Sequence, residues 1–472
     1  METTLVWLGR DLRILDNPAL AGSASRGPIV AVFVWSPEED GGWAPGAASR
    51  WWLHHTLESL ESSLKKQGSR LIVRRGPAAN ALVSAARECG AAALSWNRRY
   101  EPSARAVEKR VEEGARAAGL EVRPLAGNVL FEPETVKTLA GGPYRVFTPY
   151  WNRCGDSDGP KPPVGDPGKL RAPKAWPKTE ALASLNLLPK IRWDEGLAKS
   201  FTPGEDGARL ELDAFLGERA RNYAATRNLP GTDGNSRLSP RLAFGELSVH
   251  RIWREAGGGD PAEKGGFLGE LGWRDFGRHV LHHFPKTPET PLDPRFSHFA
   301  WRRDAKGLAA WKQGLTGYPM VDAGMRELWK TGFMHNRVRM VVASFLTKDL
   351  LVDWREGARW FWDTLVDADL ASNTLNWQWV AGCGADAAPF FRIFNPCEQG
   401  RRFDADGTYV RRWIPELAAL PDRWLQEPAS APAEVLAQAG VVLGKTYPLP
   451  IVDHKAARLR ALEVFGASGG PR

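Results

Sequence analysis

Apolar residues fall in short unbroken runs over the first quarter of the chain. Leu5-Val6-Trp7-Leu8 is the first, preceded by Thr4, and Ile29 through Trp35 is a second, wholly apolar and rich in β-branched residues. Arg70-Leu71-Ile72-Val73-Arg74 and Ala92-Ala93-Leu94-Ser95-Trp96 follow. Runs of this length without polar alternation predict strands buried on both faces, as in a parallel sheet. Between them, 49–68 places Trp52, Leu53, Leu57, Leu60 and Leu64 near helical spacing. The stretch 102–119 is charged, with Ala106, Val107 and Val111 apolar. This alternation predicts a doubly wound α/β domain over 1–130. Trp7-Leu8-Gly9-Arg10-Asp11-Leu12-Arg13 follows the first strand in place of a GxGxxG or Walker sequence. A standard dinucleotide or P-loop site is therefore disfavoured.

The pattern changes at 131–205. Ten of the 23 residues from 155 to 177 are Gly or Pro, which predicts a connector without regular structure of its own. Trp151, Trp176 and Trp193 in and around it favour docking over free motion. From 206 to 472 strand signals are few. Amphipathic helical patterns cover 209–223, 246–255, 267–283, 318–330, 337–351 and 360–366. The fold expected is an α/β N-terminal domain with a parallel sheet and an all-α C-terminal domain, joined by a long connector.

Composition adds limits. The 472 residues are 43% hydrophobic and 25% charged, ordinary for folded domains with real cores. Four cysteines lie far apart with no CxxC pair, which fits a reducing compartment better than a disulfide framework or zinc ribbon. No apolar run reaches the roughly 18–20 residues of a membrane span, and the chain opens directly on a strand. A cytoplasmic protein without a signal peptide is expected. Net charge is +8, which hints at a polyanionic partner. Residues 201–400 nevertheless hold 25 basic and 25 acidic side chains, so a nucleic acid there needs a local patch. Tryptophan is abundant, 21 against 7 tyrosines, and ten lie between Trp253 and Trp379. A bulky core is the plain explanation for any one of them.

Three segments carry more chemistry than a core needs. Gly231-Thr232-Asp233-Gly234-Asn235-Ser236-Arg237-Leu238-Ser239-Pro240 offers small donors ahead of a helix, suited to phosphate oxygens. Alone, an ordinary capped loop is the favoured reading. In His335-Asn336-Arg337-Val338-Arg339-Met340, helical spacing puts Asn336, Arg337 and Met340 on one face. In Asp367 through Trp379, spacing aligns Asp369, Asn373 and Trp377, an acid, an amide and an indole that suit a planar heterocycle. No histidine with ligand spacing accompanies the two aspartates, and no metal is expected there.

Together these segments resemble the photolyase/cryptochrome family of blue-light flavoproteins, over almost the whole chain. The opening Leu5 to Arg13 with Asp16-Asn17 is similar to its first strand and loop. Gly317-Tyr318-Pro319-Met320-Val321-Asp322-Ala323-Gly324-Met325-Arg326 is similar to its most recognisable helix. Met334 to Met340, Asp353-Trp354-Arg355-Glu356-Gly357 and Phe391-Arg392-Ile393-Phe394-Asn395-Pro396 complete five blocks in family order. Within the family the chain is most similar to cyclobutane pyrimidine dimer photolyases with a plant-cryptochrome-like N-terminal domain, the class III type.

The resemblance implies FAD in the helical domain. Tyr223 and Asn235-Ser236-Arg237-Leu238-Ser239 would hold its phosphates, Asn235 replacing the usual Thr. Glu270, Arg274, Asn336, Arg339, Asp367, Asp369 and Asn373 match residues around the ribose and ring, with Arg339 and Asp367 as a pair and Asp369 near the pyrimidine edge. Asn373 matches the position facing flavin N5, where related photolyases carry an amide and plant cryptochromes an acid. An amide does not readily hand over a proton, which suits an electron donor. Glu270, Trp273, Asn336, Met340 and Trp379 match the set around a flipped-out pyrimidine pair, with Glu270, Asn336, Met340 and Asn373 as the catalytic group. A damaged pair costs less to extrude than an intact one. The histidine pair of (6-4) photolyases is absent from 336–340. Arg227, Arg337 and Arg392 are expected on DNA phosphates. Trp377, Trp354 and Trp301 match the family's electron-transfer chain, with Trp360 and Trp362 nearby in sequence.

The antenna site is less directly carried over. Tyr100-Glu101-Pro102 stands where bacterial folate-binding relatives have an Asn-Glu pair. Trp35-Ser36-Pro37-Glu38-Glu39 instead looks like plant cryptochromes, which singles out Trp35, Glu38 and Glu39. A 5,10-methenyltetrahydrofolate is the first expectation, 8-hydroxy-5-deazaflavin the second and an empty site the third. The activity implied is light-driven repair of cyclobutane pyrimidine dimers in UV-damaged DNA by a monomer. The rival is a cryptochrome-type photoreceptor without repair, for which an acid at 373 and a long C-terminal extension would be expected.

Overall fold

The structure, a computed structural model, describes residues 2–258, 266–387 and 391–468. Five parallel strands form one sheet: β1 (Thr3–Leu8), β2 (Ile29–Trp35), β3 (Leu71–Arg75), β4 (Ala91–Asn97) and β5 (Glu121–Leu125). Their spatial order is β3-β2-β1-β4-β5. Register runs Leu5 opposite Val30 and Leu94, and Val32 opposite Ile72. The helices are α1 (Pro18–Ala24), α2 (Ala47–Lys66), α3 (Ala78–Cys89) and α4 (Pro102–Ala117). Leu82, Ala85 and Ala86 of α3 and Val107 and Val111 of α4 share one core cluster with Leu5, Val30, Ile72 and Leu94. β1 and β2 are buried along nearly their whole length, which is why they read as continuous apolar runs.

Contacts divide the chain into two compact units. The first holds residues 2–218, 236–285 and 366–371; the second holds 219–235, 286–365 and 372–468. In the first unit the sheet is joined by α5 (Phe147–Gly155) and the helix Phe267–His283. Trp151 of α5 is fully buried, and a Cβ at Gly272 would come within 2.7 Å of its ring. Only glycine lets that indole lie flat on the helix. After Gly155, which ends α5, the Gly/Pro-rich stretch through 177 contains no helix or strand and is nevertheless docked. Trp176 packs on the sheet core with Arg70 over its ring at 4.5 Å. Trp193 is 37% exposed.

The second unit is helical. Its main helices are Pro319–Thr331, Asn336–Ser344, Trp354–Thr364, Leu370–Ala381 from residue 372 onward, Pro396–Phe403 and His454–Ala467. The helix expected over 337–351 is shorter: it widens into a π turn at Phe345–Asp349, and Leu351 takes φ +56°. Among the described residues no helix is long and apolar enough to cross a membrane.

Candidate functional site

In the first unit the segment 236–239 turns sharply, because Arg237 sits in the left-handed region at φ +54°. Its guanidinium lies over Phe201 at 4.8 Å and donates to the Ser200 carbonyl at 3.3 Å. The Leu238 N–H donates to Ser236 Oγ at 3.4 Å. Ser239 Oγ donates to Asp367 Oδ2 at 2.6 Å, which ties this turn to the strand of chain leading into the Leu370–Ala381 helix. Asp369, one residue before that helix, accepts from Arg278 Nη2 at 2.7 Å; both side chains are nearly buried, at 12% and 9% exposure.

Arg278 lies on the Phe267–His283 helix with Glu270, Trp273 and Arg274. Trp273 stacks on Phe147 with centroids 3.9 Å apart and planes 14° apart, so its orientation is fixed. Arg274 donates to the Asn128 carbonyl at 2.9 Å. Burial, and then the charge of Arg278, lowers its pKa to about 10. Asp275 accepts from the Leu130 and Phe131 N–H groups at 2.6 and 3.1 Å, pinning that segment to the helix.

The carboxyl ends of β1 and β4 are neighbours whose connections leave in opposite directions, the switch point where open α/β sheets bind ligands. A charged cluster sits there. Arg99 lies 3.6 Å from Glu101 and 4.0 Å from Asp40. Burial lowers the pKa of Arg10 and raises that of Asp40. Burial is the largest influence on Glu101 and opposes its ionisation, but Arg99, a backbone hydrogen bond and Arg278 together outweigh it and the net shift is downward. Trp35 ends β2 nearby in the same sheet. Glu38 is exposed, while Glu39 accepts from Ser36 Oγ, the Ala78 N–H and Arg110, each at 2.8 Å, and so anchors the start of α3.

In the second unit His335 caps the helix that carries Asn336, Arg337, Arg339 and Met340. Its Nδ1 accepts the Arg337 N–H at 3.1 Å. Burial, then Arg339, Arg337 and Arg227, depresses its pKa to about 4, so the ring is neutral and Nδ1 accepts. Asn336 is exposed and Met340 half-buried. Arg339 Nε donates to the Met334 carbonyl at 2.7 Å. Arg337 donates to Asn228 Oδ1 at 2.8 Å and lies over Phe403 at 4.4 Å. Burial lowers its pKa, and the charges of Arg402, Arg227 and Arg392 push it the same way. These four guanidiniums form a local basic patch. Arg227 also covers Tyr223 at 5.3 Å, and Arg392 lies 5.8 Å from the centre of Trp379. Beside Asn235, a Cβ at Gly234 would come within 2.6 Å of the Thr226 side chain, so the loop closes tightly there.

Asn373 donates from Nδ2 to the Ala358 carbonyl at 3.0 Å. One helical turn on, Trp377 is 2% exposed. It meets Phe361 edge-on at 5.0 Å and Trp311 at 6.3 Å. Gly357 faces its ring so closely that a Cβ would overlap it. Trp354 is buried, and Trp301 packs against Phe299 at 4.4 Å. Trp360 stacks on Trp329 at 6.0 Å with planes 3° apart, under Lys312, and Trp329 is 62% exposed.

Family models match both parts of the chain. The one for DNA photolyase matches residues 4–167, and the one for the FAD binding domain of DNA photolyase matches 267–467. A deoxyribodipyrimidine photo-lyase from Agrobacterium fabrum is 48% identical, over 98% of this chain and 97% of its own. The chain belongs to the photolyase/cryptochrome family. A crystal structure of a bacterial class III photolyase from Agrobacterium tumefaciens superposes with a TM-score of 0.95 at 47% identity, over 100% of this chain and 98% of that one. Cryptochrome-1 of Arabidopsis thaliana is 39% identical, over 98% of this chain and 70% of its own. The fold class expected from the sequence is the one found.

As a member of this family the chain has an FAD-binding C-terminal part. Taken unit by unit, the chemistry of the side chains is compatible with FAD: in the first, the Ser236 and Ser239 hydroxyls suit phosphate oxygens and the Asp369–Arg278 pair suits a pyrimidine edge; in the second, the Asn373 amide suits a ring nitrogen. Three features escaped the sequence reading. Arg278, the partner of Asp369, stands four residues after Arg274, one turn along the same helix, and that spacing was the available signal. Arg402 belongs to the basic patch and is announced only by the Arg401-Arg402 doublet. The charged cluster of Arg10, Asp40, Arg99 and Glu101 has no local signal, because strand pairing assembles it.

Proposed function

We propose that this protein repairs cyclobutane pyrimidine dimers in UV-damaged DNA, driven by light. The observation that carries the proposal is similarity across nearly the full length to a deoxyribodipyrimidine photo-lyase, joined to an amide rather than an acid at Asn373. Reduced FAD, when bound, supplies the light-absorbing one-electron donor. The chain's part is to bind, orient and insulate. Trp273, clamped on Phe147, and Trp379, beside Arg392, present apolar faces to the linked bases. Glu270 and Asn336 hydrogen-bond to pyrimidine edges, and Met340 fills beneath the ring. Arg227, Arg337, Arg392 and Arg402 hold the backbone phosphates, placing the lesion without reading sequence. Tyr223 and Asn235 through Ser239 hold the cofactor's phosphates. Glu270, Arg274, Asn336, Arg339, Asp367 and Asp369 surround the rest of it. Asn373, oriented by one N–H donated to Ala358, is an amide and has no acidic proton to give. Trp377, Trp354 and Trp301 pass electrons inward to restore the reduced state.

The proposed antenna is a 5,10-methenyltetrahydrofolate at the switch point beside Arg10, Arg99 and Trp35, with 8-hydroxy-5-deazaflavin as the second choice. Burial of both charge signs beside an aromatic residue supports a heterocycle with an anionic tail. We take the protein to act as a cytoplasmic monomer. Illuminating the purified protein with UV-damaged oligonucleotide tests the reading. Restored pyrimidines in light but not in darkness support it; photoreduction of flavin without any repair would instead favour the photoreceptor.

A further inference from the structure

Helix α2 carries three potential metal ligands that have no part in the proposed repair: His54, His55 and Glu58. One carboxylate serves both imidazoles. Glu58 Oε1 lies 3.2 Å from His54 Nε2, and Glu58 Oε2 lies 2.9 Å from His55 Nδ1. The ligating atoms of all three lie within 4.8 Å of one another. Spacing explains the arrangement, since residues four apart stand one above the other on a helix and His55 flanks them. The rings are held in place. His54 is 7% exposed, the two imidazoles meet edge-on at 5.2 Å, and His55 meets Trp51 edge-on at 4.9 Å.

We propose that His54, His55 and Glu58 bind one divalent d-block ion of the zinc, nickel or copper type. Bonds of about 2.1 Å put neighbouring donor atoms about 3.0 Å apart on an octahedral ion and about 3.4 Å apart on a tetrahedral one. The two observed carboxylate–imidazole separations fall within or just beside that window, so these side chains need only small rotations to close on an ion. Two imidazoles and a carboxylate select such ions over Mg²⁺ and Ca²⁺, which take oxygen ligands. Three protein ligands leave an open position for water.

Metal at His54 Nε2 puts that ring's proton on Nδ1, which is buried and has no hydrogen-bond partner. A ligating histidine normally donates this second N–H to an acceptor, and that contact strengthens the site. The ion is therefore held less tightly than in a closed structural zinc site, and it exchanges with solution. Because all three ligands come from one helix, binding requires no rearrangement elsewhere.

The test is equilibrium binding of Zn²⁺ alone to the full-length, flavin-loaded protein in a non-chelating buffer, alongside His55→Ala and Glu58→Gln. His55 and Glu58 are 33% and 55% exposed, so these substitutions spare the core; His54 is left in place for that reason. The expected result is one equivalent of Zn²⁺ at this site, weakened more than about 10-fold by either substitution, a loss that even an outer-shell change can cause. Excess Mg²⁺ leaves binding unchanged. The proposal is overturned if the unaltered protein binds no Zn²⁺, or if either variant binds the same equivalent with the same affinity.

Discussion

The side-chain amide of Asn373 donates to the backbone carbonyl of Ala358 at 3.0 Å. This bond uses one of the two N–H donors of the amide and orients the side chain. A carboxylate at this position loses the donor and places negative charge against a carbonyl oxygen. Asn373→Asp is therefore expected to cost about 1 kcal/mol of stability and to lower repair. The absorption spectrum of the illuminated protein should shift toward the N5-protonated flavin. A variant that repairs at the original rate with an unchanged spectrum removes Asn373 from the argument.

Trp377 fills a slot that Gly357 leaves open, against Phe361 and Trp311. Trp377→Phe is expected to slow photoreduction of oxidised flavin sharply while leaving repair by pre-reduced enzyme largely intact. The smaller ring also leaves a void, costing about 1–2 kcal/mol in urea unfolding. Equal loss of photoreduction and repair contradicts the separation of electron supply from the repair step. Gly357→Ala should impair photoreduction as well, by displacing the same indole.

Arg278 and Asp369 form a nearly buried ion pair at 2.7 Å. Removing one partner strands the other charge. Arg278→Met should cost about 3–5 kcal/mol in chemical denaturation and should reduce flavin retention on gel filtration. The double substitution with Asp369→Asn should recover much of the stability but not the flavin. A double variant as unstable as the single one would show that the two charges are not coupled.

His335 carries the pH prediction. Its pKa is about 4 in the folded protein, below its ordinary 6.5, because of burial and then Arg339, Arg337 and Arg227; Glu327, which accepts the His335 N–H at 3.4 Å, is the nearby counter-charge. A depressed pKa means that the unfolded chain binds the proton more readily. The contribution is complete above pH 6.5 and is lost as pH falls toward 4, amounting to about 3 kcal/mol at most. Protonation also removes the lone pair that caps the Asn336–Ser344 helix. His335→Asn keeps a capping oxygen without the titration, so its stability should fall less between pH 6.5 and 4. Parallel pH curves for the two proteins would refute this.

Arg402 joins Arg227, Arg337 and Arg392. Arg402→Ala should weaken binding to damaged and undamaged DNA alike. It should reduce the slope of log affinity against log salt by about 0.9, the signature of one lost phosphate contact. An unchanged slope places Arg402 off the DNA.

Much of this organisation was written in local pattern. Four strands were legible because burial on both faces makes them continuously apolar. The fifth, Glu121–Leu125, was not: it is an edge strand, only partly buried, and it holds Glu121, Arg123 and Pro124. Helix α3 was missed although Ala78, Leu82, Ala85, Ala86 and Cys89 recur at helical spacing and form its buried face; most of that face is alanine, which signals a core weakly. The Asp369, Asn373 and Trp377 alignment was readable, with Asp369 standing just before the helix rather than within it. Arg278 and the buried charges at the sheet's switch point were out of reach, since long-range packing creates them. Of the 21 tryptophans, Trp51, Trp52, Trp96 and Trp151 are buried packing, as composition alone suggested.

Direct quantification of restored thymine is the measurement that bears most closely on the central claim. An oligonucleotide with a single cyclobutane thymine dimer is mixed with pre-reduced, flavin-loaded protein, divided between near-UV or blue light and darkness, and resolved by chromatography. The account predicts conversion to intact thymines in the light over many turnovers, and none in the dark. Intact dimers after illumination, with the flavin demonstrably reduced and the DNA demonstrably bound, would contradict it.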